Sequence, residues 1–240
     1  MNNGFTKRLA AAVEEIKYPT VADIGCDHAY AAIYAVLTGR AERAYACDIN
    51  EGPLARAAKN IDEYGLGGKI ATLLGDGLAP LAGTDVGTVM ICGLGGRLTT
   101  EILSNGLERA PGLKQLILQP MSEIPKVRRF IHKIGYKISN ERIVRENRKF
   151  YMILSCEPGG EEPYVDAEYE FGKILIRDAT DVFLEYIRRE REKTLAIMDG
   201  IAREPGAGSA AKRRGREMKK RYEMTGKILI ARDNTRTLVD

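Results

Sequence analysis

The chain predicts an open, mainly parallel α/β sheet over its first 158 residues, followed by a smaller α-helical hairpin. Three observations carry this expectation. Short apolar runs alternate with stretches of helical period from Thr20 to Lys133, the pattern of right-handed βαβ crossovers. Three of these runs close on an acidic residue or a glycine turn: Val21-Ala-Asp-Ile-Gly-Cys-Asp-His-Ala-Tyr30, Ala44-Tyr-Ala-Cys-Asp48, and Ile70-Ala-Thr-Leu-Leu74 with Gly75-Asp-Gly77. Beyond the linker Pro158-Gly-Gly-Glu-Glu-Pro163 the strand signals stop, and Phe183, Tyr186, Ile187, Leu195 and Met198 recur at helical spacing.

Each element has its own signal. Leu9, Val13 and Ile16 share one side of a short amphipathic helix over Thr6–Lys17. Strands follow at Thr20–Ile24, Arg43–Asp48, Ile70–Leu74, Thr88–Cys92 and Leu113–Leu118. Helices lie between them at His28–Thr38, closed by Gly39, at Pro53–Tyr64, closed by Gly65, and from Gly93-Leu-Gly-Gly96 to Asn105. Ser122 is placed to cap a helix running to Lys133, with Pro125 in its first turn. Tyr136–Ile143 and Phe150–Glu157 read as an antiparallel pair around Glu146-Asn-Arg148. In the second domain, 159–240, Pro205-Gly-Ala-Gly208 breaks the helical pattern and Ser209 restarts it, giving two antiparallel helices.

Composition narrows the setting. The net charge is only +4, but nine Lys/Arg fall between Lys126 and Lys149, and seven between Lys212 and Arg221. Local positive fields of this kind attract phosphates; a solvated surface is the plainer reading of either run alone. Cys26, Cys47, Cys92 and Cys156 show neither CxxC nor zinc-ligand spacing and read as reduced thiols. No metal site is expected. No signal peptide and no membrane-spanning run is seen, so the expected setting is the cytoplasm.

The strand-end residues suggest a ligand. Gly25 allows a tight turn and close backbone approach, and Asp23 and Asp27 flank it. These carboxylates complement a sulfonium and an ammonium group, and they would repel a pyrophosphate. Asp27 and Ala29 also stand where a dinucleotide loop needs glycine. S-adenosyl-L-methionine is therefore favoured over NAD. Asp48 lies 23 residues beyond Gly25, a separation suited to ribose hydroxyls, and Asp76 could accept from the adenine amino group. Either aspartate alone could equally cap a helix or turn. Gly93 and its neighbours could admit a ligand to the backbone or simply open a helix. No Asn-Pro-Pro-Tyr or Asp-Pro-Pro-Tyr follows the fourth strand, which argues against methylation of an exocyclic base nitrogen. His28, at the helix start, could orient a substrate or be structural; His132 reads as a helix-surface residue.

Basic residues complete the footprint. Lys7, Arg8, Lys126, Arg128, Arg129, Arg145 and Arg148 in the first domain, with Lys212, Arg213 and Arg214 in the second, are candidate RNA contacts. Two basic surfaces around a methyl-transfer pocket favour an RNA over a small molecule.

The chain resembles the bacterial tRNA adenine-22 N1-methyltransferases, the TrmK family. The resemblance runs through Thr6-Lys-Arg-Leu9, Asp23-Ile-Gly-Cys-Asp-His-Ala-Tyr30, Glu51-Gly-Pro53, Gly75-Asp-Gly-Leu78, Gly93-Leu-Gly-Gly-Arg-Leu98, Leu116-Ile-Leu-Gln-Pro120 and Lys149-Phe-Tyr151. It implies a class I, Rossmann-like methyltransferase domain and a coiled-coil-like C-terminal domain. It further implies a tRNA substrate, S-adenosylmethionine surrounded by Asp23, Gly25, Asp27, His28, Asp48 and Asp76, and a substrate base bordered by Gly93, Gly95, Gln119 and Pro120. Cys26, Ile49, Gly77 and Gly93 complete the expected cofactor-binding set. Asp27, His28, Arg97 and Gln119 are the expected catalytic residues, and a monomer is expected. Asp48 stands where the family more often has Glu, and Met121 where Asn often follows Gln-Pro. The alternatives are a class I methyltransferase acting on another RNA or a small molecule, and a non-catalytic RNA-binding relative.

Overall fold

The computed structural model describes residues 4–203 and 208–236. Two compact units divide the chain, Met1–Glu170 and Phe171–Asp240. The sequence puts this division at 158/159; the contacts put it before the last residue of the short helix that follows the linker.

The first unit is a seven-stranded sheet. β1 (Thr20–Ile24), β2 (Arg43–Asp48), β3 (Ile70–Leu74), β4 (Thr88–Cys92) and β5 (Gln115–Gln119) are parallel. β6 (Tyr136–Glu146) and β7 (Lys149–Pro158) form a hairpin, and β7 runs antiparallel to β5. The order is β3-β2-β1-β4-β5-β7-β6. The order reverses between β1 and β4, and in such sheets ligands bind beyond the strand ends at that point. The hairpin turn uses Asn147 and Arg148, both with positive φ (47° and 64°), as a two-residue turn matching strand twist requires.

Helices cover both faces. α1 (Lys7–Val13), α2 (Tyr30–Leu37) and α3 (Glu51–Glu63) pack on one face, where Val21, Ala44, Ala46, Met90, Ile117 and Ile153 point. α4 (Gly96–Gly106) and α5 (Ile124–Lys133) lie on the other, against Ala22, Ile24, Val89, Ile91, Leu116 and Leu118. Alternate residues of each central strand therefore enter opposite cores, and both faces are apolar. That is why these strands read as unbroken apolar runs.

Several element ends differ from the sequence reading, and those of α1, α3 and α5 have visible causes. α1 stops at Val13 because the Gln115 side chain claims the next turn: its Oε1 accepts from the Lys17 amide at 3.0 Å and its Nε2 donates to the Glu15 carbonyl at 2.7 Å. α3 begins at Glu51, two residues before Pro53, since the ring is tolerated in a first turn. α5 begins at Ile124 behind a left-handed Glu123 (φ 53°). Ser122 does not cap it; the Ser122 hydroxyl accepts instead from the Gly96 amide at the start of α4, at 3.3 Å. Gly96 is required there, since a Cβ would sit 2.4 Å from the Ser122 carbonyl oxygen.

A short helix, α6 (Asp166–Phe171), leads out of the first unit. In the second unit α7 (Lys173–Asp178) precedes α8 (Asp181–Ala202) and α9 (Ser209–Arg236). Thr180 caps α8 by accepting from the Phe183 amide. α8 and α9 are tied near their middles by Arg191, whose guanidinium stacks 3.7 Å from the Tyr222 ring centroid and donates to the Tyr222 carbonyl at 2.8 Å. The expected break at Pro205-Gly-Ala207 lies outside the described residues. No described helix is long and apolar enough to cross a membrane.

Candidate active site

The C-terminal ends of β1, β2, β4 and β5 carry Asp23, Asp48, Cys92 and Gln119. Two chambers open over this edge. One, of about 360 Å³, is lined by Asp23, Gly25, Cys26, Asp27, His28, Gly93 and Gln119, with Gly4, Thr6, Arg8 and Leu9 of the N-terminal segment as one wall. The other, of about 290 Å³, is lined by Asp48, Ile49, Gly75, Asp76, Gly77, Leu98 and Ile102. Gly25 and Leu94 border both. Gly25 is left-handed (φ 72°), and a Cβ there would lie 3.4 Å from Leu94. The backbone is thus kept bare where the chambers meet.

The loop after β1 is built by the sheet. The amides of Gly25 and Cys26 both donate to the Cys47 carbonyl of β2, at 2.9 and 3.1 Å. The chain then passes through left-handed Asp27 (φ 40°) and Ala29 (φ 55°) into α2. Non-glycine residues in this region are uncommon and cluster at functional sites.

Asp23 is the electrostatic centre. It is 5% exposed. Burial pushes its carboxyl up from 3.8 to about 7, Asp48 adds to this, and a hydrogen bond from the Ala32 amide opposes it. Such a group favours a cationic ligand, whose charge would restore the carboxylate. Asp48 uses Oδ1 to accept the Asn50 amide at 2.9 Å. It therefore caps a turn, as one reading held, while lining the chamber as the other required. Asp76 is exposed between two glycines and lines the same chamber. The donor set fits S-adenosylmethionine: acidic groups on both chambers, a bare glycine between them, and apolar Leu94, Leu98 and Ile102 for a planar ring. Among the described residues no cluster of His, Cys, Asp and Glu could hold a metal. The cysteines are all free, and burial pushes the Cys26, Cys47 and Cys156 thiols up, away from nucleophilic use.

On the substrate side, Gln119 is buried and its amide reaches the Met121 sulfur at 3.3 Å. Arg8 Nη1 lies 3.7 Å from the same sulfur, and the Arg8 guanidinium sits 4.9 Å from the Tyr151 ring centroid. His28 stacks on Tyr30 at 5.5 Å, with Nε2 3.5 Å from Asp27 Oδ2.

The geometry corrects three expectations. Arg128 is not an RNA contact: its side chain is fully buried, Nε donates to Glu141 at 2.7 Å, and Nη1 donates to the Tyr169 carbonyl at 2.9 Å. A phosphate cannot reach it. Arg97 stands apart from both chambers, 82% exposed and paired with Glu101 on the next turn of α4. His132 is no surface residue: Nδ1 meets the Tyr169 hydroxyl and Nε2 the Glu161 carboxylate, each at 2.9 Å. The other basic candidates lie outside the core. Lys7, Lys126, Arg129, Arg145 and Arg148 are exposed in the first unit, and Lys212, Arg213 and Arg214 on α9. Arg129 also pairs with Asp166 at 3.1 Å and stacks on Tyr169.

The model of the tRNA (adenine(22)-N(1))-methyltransferases, TrmK, matches residues 21–226. The chain belongs to the TrmK family. It is 34% identical over 203 residues to the tRNA (adenine(22)-N(1))-methyltransferase of Bacillus subtilis, covering 82% of this chain and 85% of that one. The crystal structure of B. subtilis TrmK superposes with a TM-score of 0.84 at 30% identity, over 93% of this chain and 98% of that one. A Streptococcus pneumoniae protein described as a putative tRNA (m1A22) methyltransferase, in complex with S-adenosyl-L-methionine, gives 0.82 at 30% identity, over 94% and 99%. The Rossmann-like sheet is that of the family. Sequence reasoning passed over Arg56 and Asn60 of α3, and the wall formed by residues 4–9. An Arg and Asn four apart on the helix after β2 were visible; their targets, some thirty residues upstream, were not.

Proposed function

We propose that this chain transfers a methyl group from S-adenosyl-L-methionine to N1 of adenine 22 in tRNA. The observation that carries the reading is the pair of chambers joined at Gly25, acidic on the donor side and bordered by Gln119 on the substrate side, in a chain of the TrmK family. Asp23 holds the cationic methionine end, Asp48 the ribose, and Asp76 the adenine. Leu98 and Ile102 flank the adenine ring.

The donor's sulfonium supplies the methyl group and leaves as a neutral thioether. The substrate adenine needs no activation, because its N1 lone pair is already a nucleophile. The protein's task is alignment, which supplies about 7–11 kcal/mol in favourable cases. Since N1 lies on the pairing edge, the base enters the chamber unpaired or flipped out. As the N1–methyl bond forms, positive charge passes to the ring, and the Asp27 carboxylate at the chamber wall stabilises it. Gln119 and His28 hold the base edge.

The first unit is the catalytic domain, and the second carries Lys212, Arg213 and Arg214 to tRNA phosphates. The protein acts as a monomer in the cytoplasm. Incubation with tRNA and donor, followed by nucleoside mass spectrometry and position mapping, tests the reading. N1-methyladenosine at position 22 supports it. A methyl group elsewhere, or on no nucleoside, refutes it.

A further inference from the structure

Two side chains of α3 reach across to the loop between β1 and α2. Arg56 Nη2 lies 2.6 Å from Asp27 Oδ1. Asn60 Nδ2 donates to the His28 carbonyl at 2.9 Å. The two residues are four apart and so share one helix face.

The loop that they grip is strained. Asp27 and Ala29 both hold left-handed backbone without being glycine, a conformation that persists only where its surroundings fix it. The second oxygen of Asp27 faces the His28 imidazole at 3.5 Å. The imidazole stacks on Tyr30, and Phe5 meets the Tyr30 ring edge-on at 5.8 Å. Asp27 is thus a hub: one oxygen is tied to α3, and the other faces the histidine that borders the substrate chamber. The Arg56–Asp27 pair is half exposed, at 50% and 60%, and ion pairs of that kind contribute little to stability. Their worth here lies in placement.

We infer that Arg56 and Asn60 are positioning residues for methyl transfer, two tethers from α3 that hold Asp27 and His28 against the substrate chamber. The inference rests on the function proposed above. It assigns α3, which touches neither chamber through these side chains, a direct say in turnover.

The test uses the full chain with Arg56→Ala, Arg56→Met, Arg56→Lys and Asn60→Ala. Lys59→Ala, which removes an exposed cation from the same helix, is the control. Steady-state kcat and KM for tRNA and donor are measured, with the unfolding midpoint and the ring resonances of the two histidines. Since small misplacements of a reacting group are costly, Arg56→Ala should lower kcat roughly tenfold or more, with KM for the donor within about twofold. The midpoint should move by less than about 3 °C, as for an exposed pair. The His28 resonances should shift while those of His132 stay in place. Arg56→Lys should recover part of the activity, and Lys59→Ala all of it. Arg56→Met keeps an unbranched chain without a donor to Asp27 and replaces the alanine variant if that one fails to fold. Wild-type kcat in Arg56→Ala or Arg56→Met, equal loss in Lys59→Ala, or unmoved His28 resonances overturn the inference alone. A wild-type protein that leaves tRNA unmethylated overturns the proposed function first, whatever the His28 resonances do.

Discussion

Asp23→Asn separates what the buried carboxylate does for the ligand from what it does to the fold. In the folded chain its carboxyl is raised from 3.8 to about 7, chiefly by burial. The folded state therefore holds this proton more tightly than the unfolded state does. Its contribution to stability is complete below about pH 4, falls as pH rises from about 4 to 7, and is flat above. At about 1.4 kcal/mol per unit, the loss across that window is at most about 4 kcal/mol. Asparagine cannot ionise, yet its amide oxygen can still accept from Ala32. The variant should thus gain on the wild type as pH rises, by about 2–4 kcal/mol at pH 8, or several degrees in a domain of this size. Unfolding midpoints at pH 5 and pH 8 read this directly. Calorimetry with S-adenosylmethionine reads the other half. Wild-type binding near pH 6 should release a proton, seen as heat that varies with buffer ionisation enthalpy, because a cationic ligand draws Asp23 into its charged form. The variant should release none and bind far more weakly. Parallel midpoints at both pH values, or unchanged affinity in the variant, would refute the account.

Three further outcomes follow from named contacts. Gln115 satisfies the Lys17 amide, the Glu15 carbonyl, Thr88 and Ser155 from one buried side chain. Gln115→Leu strands those groups and should cost about 2–4 kcal/mol, read as a lower urea midpoint at constant slope. Arg128→Met leaves Glu141 buried without its cation and should cost about 3–5 kcal/mol. The salt dependence of tRNA binding should stay as it is, and a shallower slope would restore Arg128 to the RNA surface. Replacing Lys212, Arg213 and Arg214 together by alanine should weaken tRNA binding at low salt. It should also reduce the log–log salt slope by about 2–3 and leave donor affinity alone. Filter binding across a salt series distinguishes this from a solvated basic face.

The sequence reveals most where structure is set locally. β1, β2, β3 and β4 begin and end where their apolar runs do; for β1 and β4 the reason is burial on both sides in the middle of the sheet, whereas β3 is a largely exposed edge strand. The strand-end aspartates were legible too, since a carboxylate closing such a run has few places to go. Long-range contacts were not legible. The end of α1 is decided by Gln115, about a hundred residues away. The start of α5 was missed for a local reason, a left-handed Glu123 in place of the glycine or asparagine that usually marks that backbone. Arg128 misled because a count of charges ignores helix phase. Ile124 lies four residues before it and Ile131 three after, so it sits on the apolar side of α5, opposite its basic neighbours.

β5 shows how the sheet divides its labour. At its first residue, Gln115 ties the turn after α1 to β4 and β7 through a saturated buried amide. At its last, Gln119 lines the substrate chamber with its amide on the Met121 sulfur. Three residues separate scaffold from chemistry. The costly features, a buried carboxylate at Asp23 and left-handed Asp27 and Ala29, all gather at the C-terminal edge of the strands. Support for them comes from elsewhere, through the Gln115 network and the Arg128–Glu141 pair. Substitutions at the N-terminal ends of the strands should therefore move stability with little change in kcat. Those at the C-terminal ends should move kcat or donor affinity, and some, Asp23→Asn above all, should raise stability while doing so.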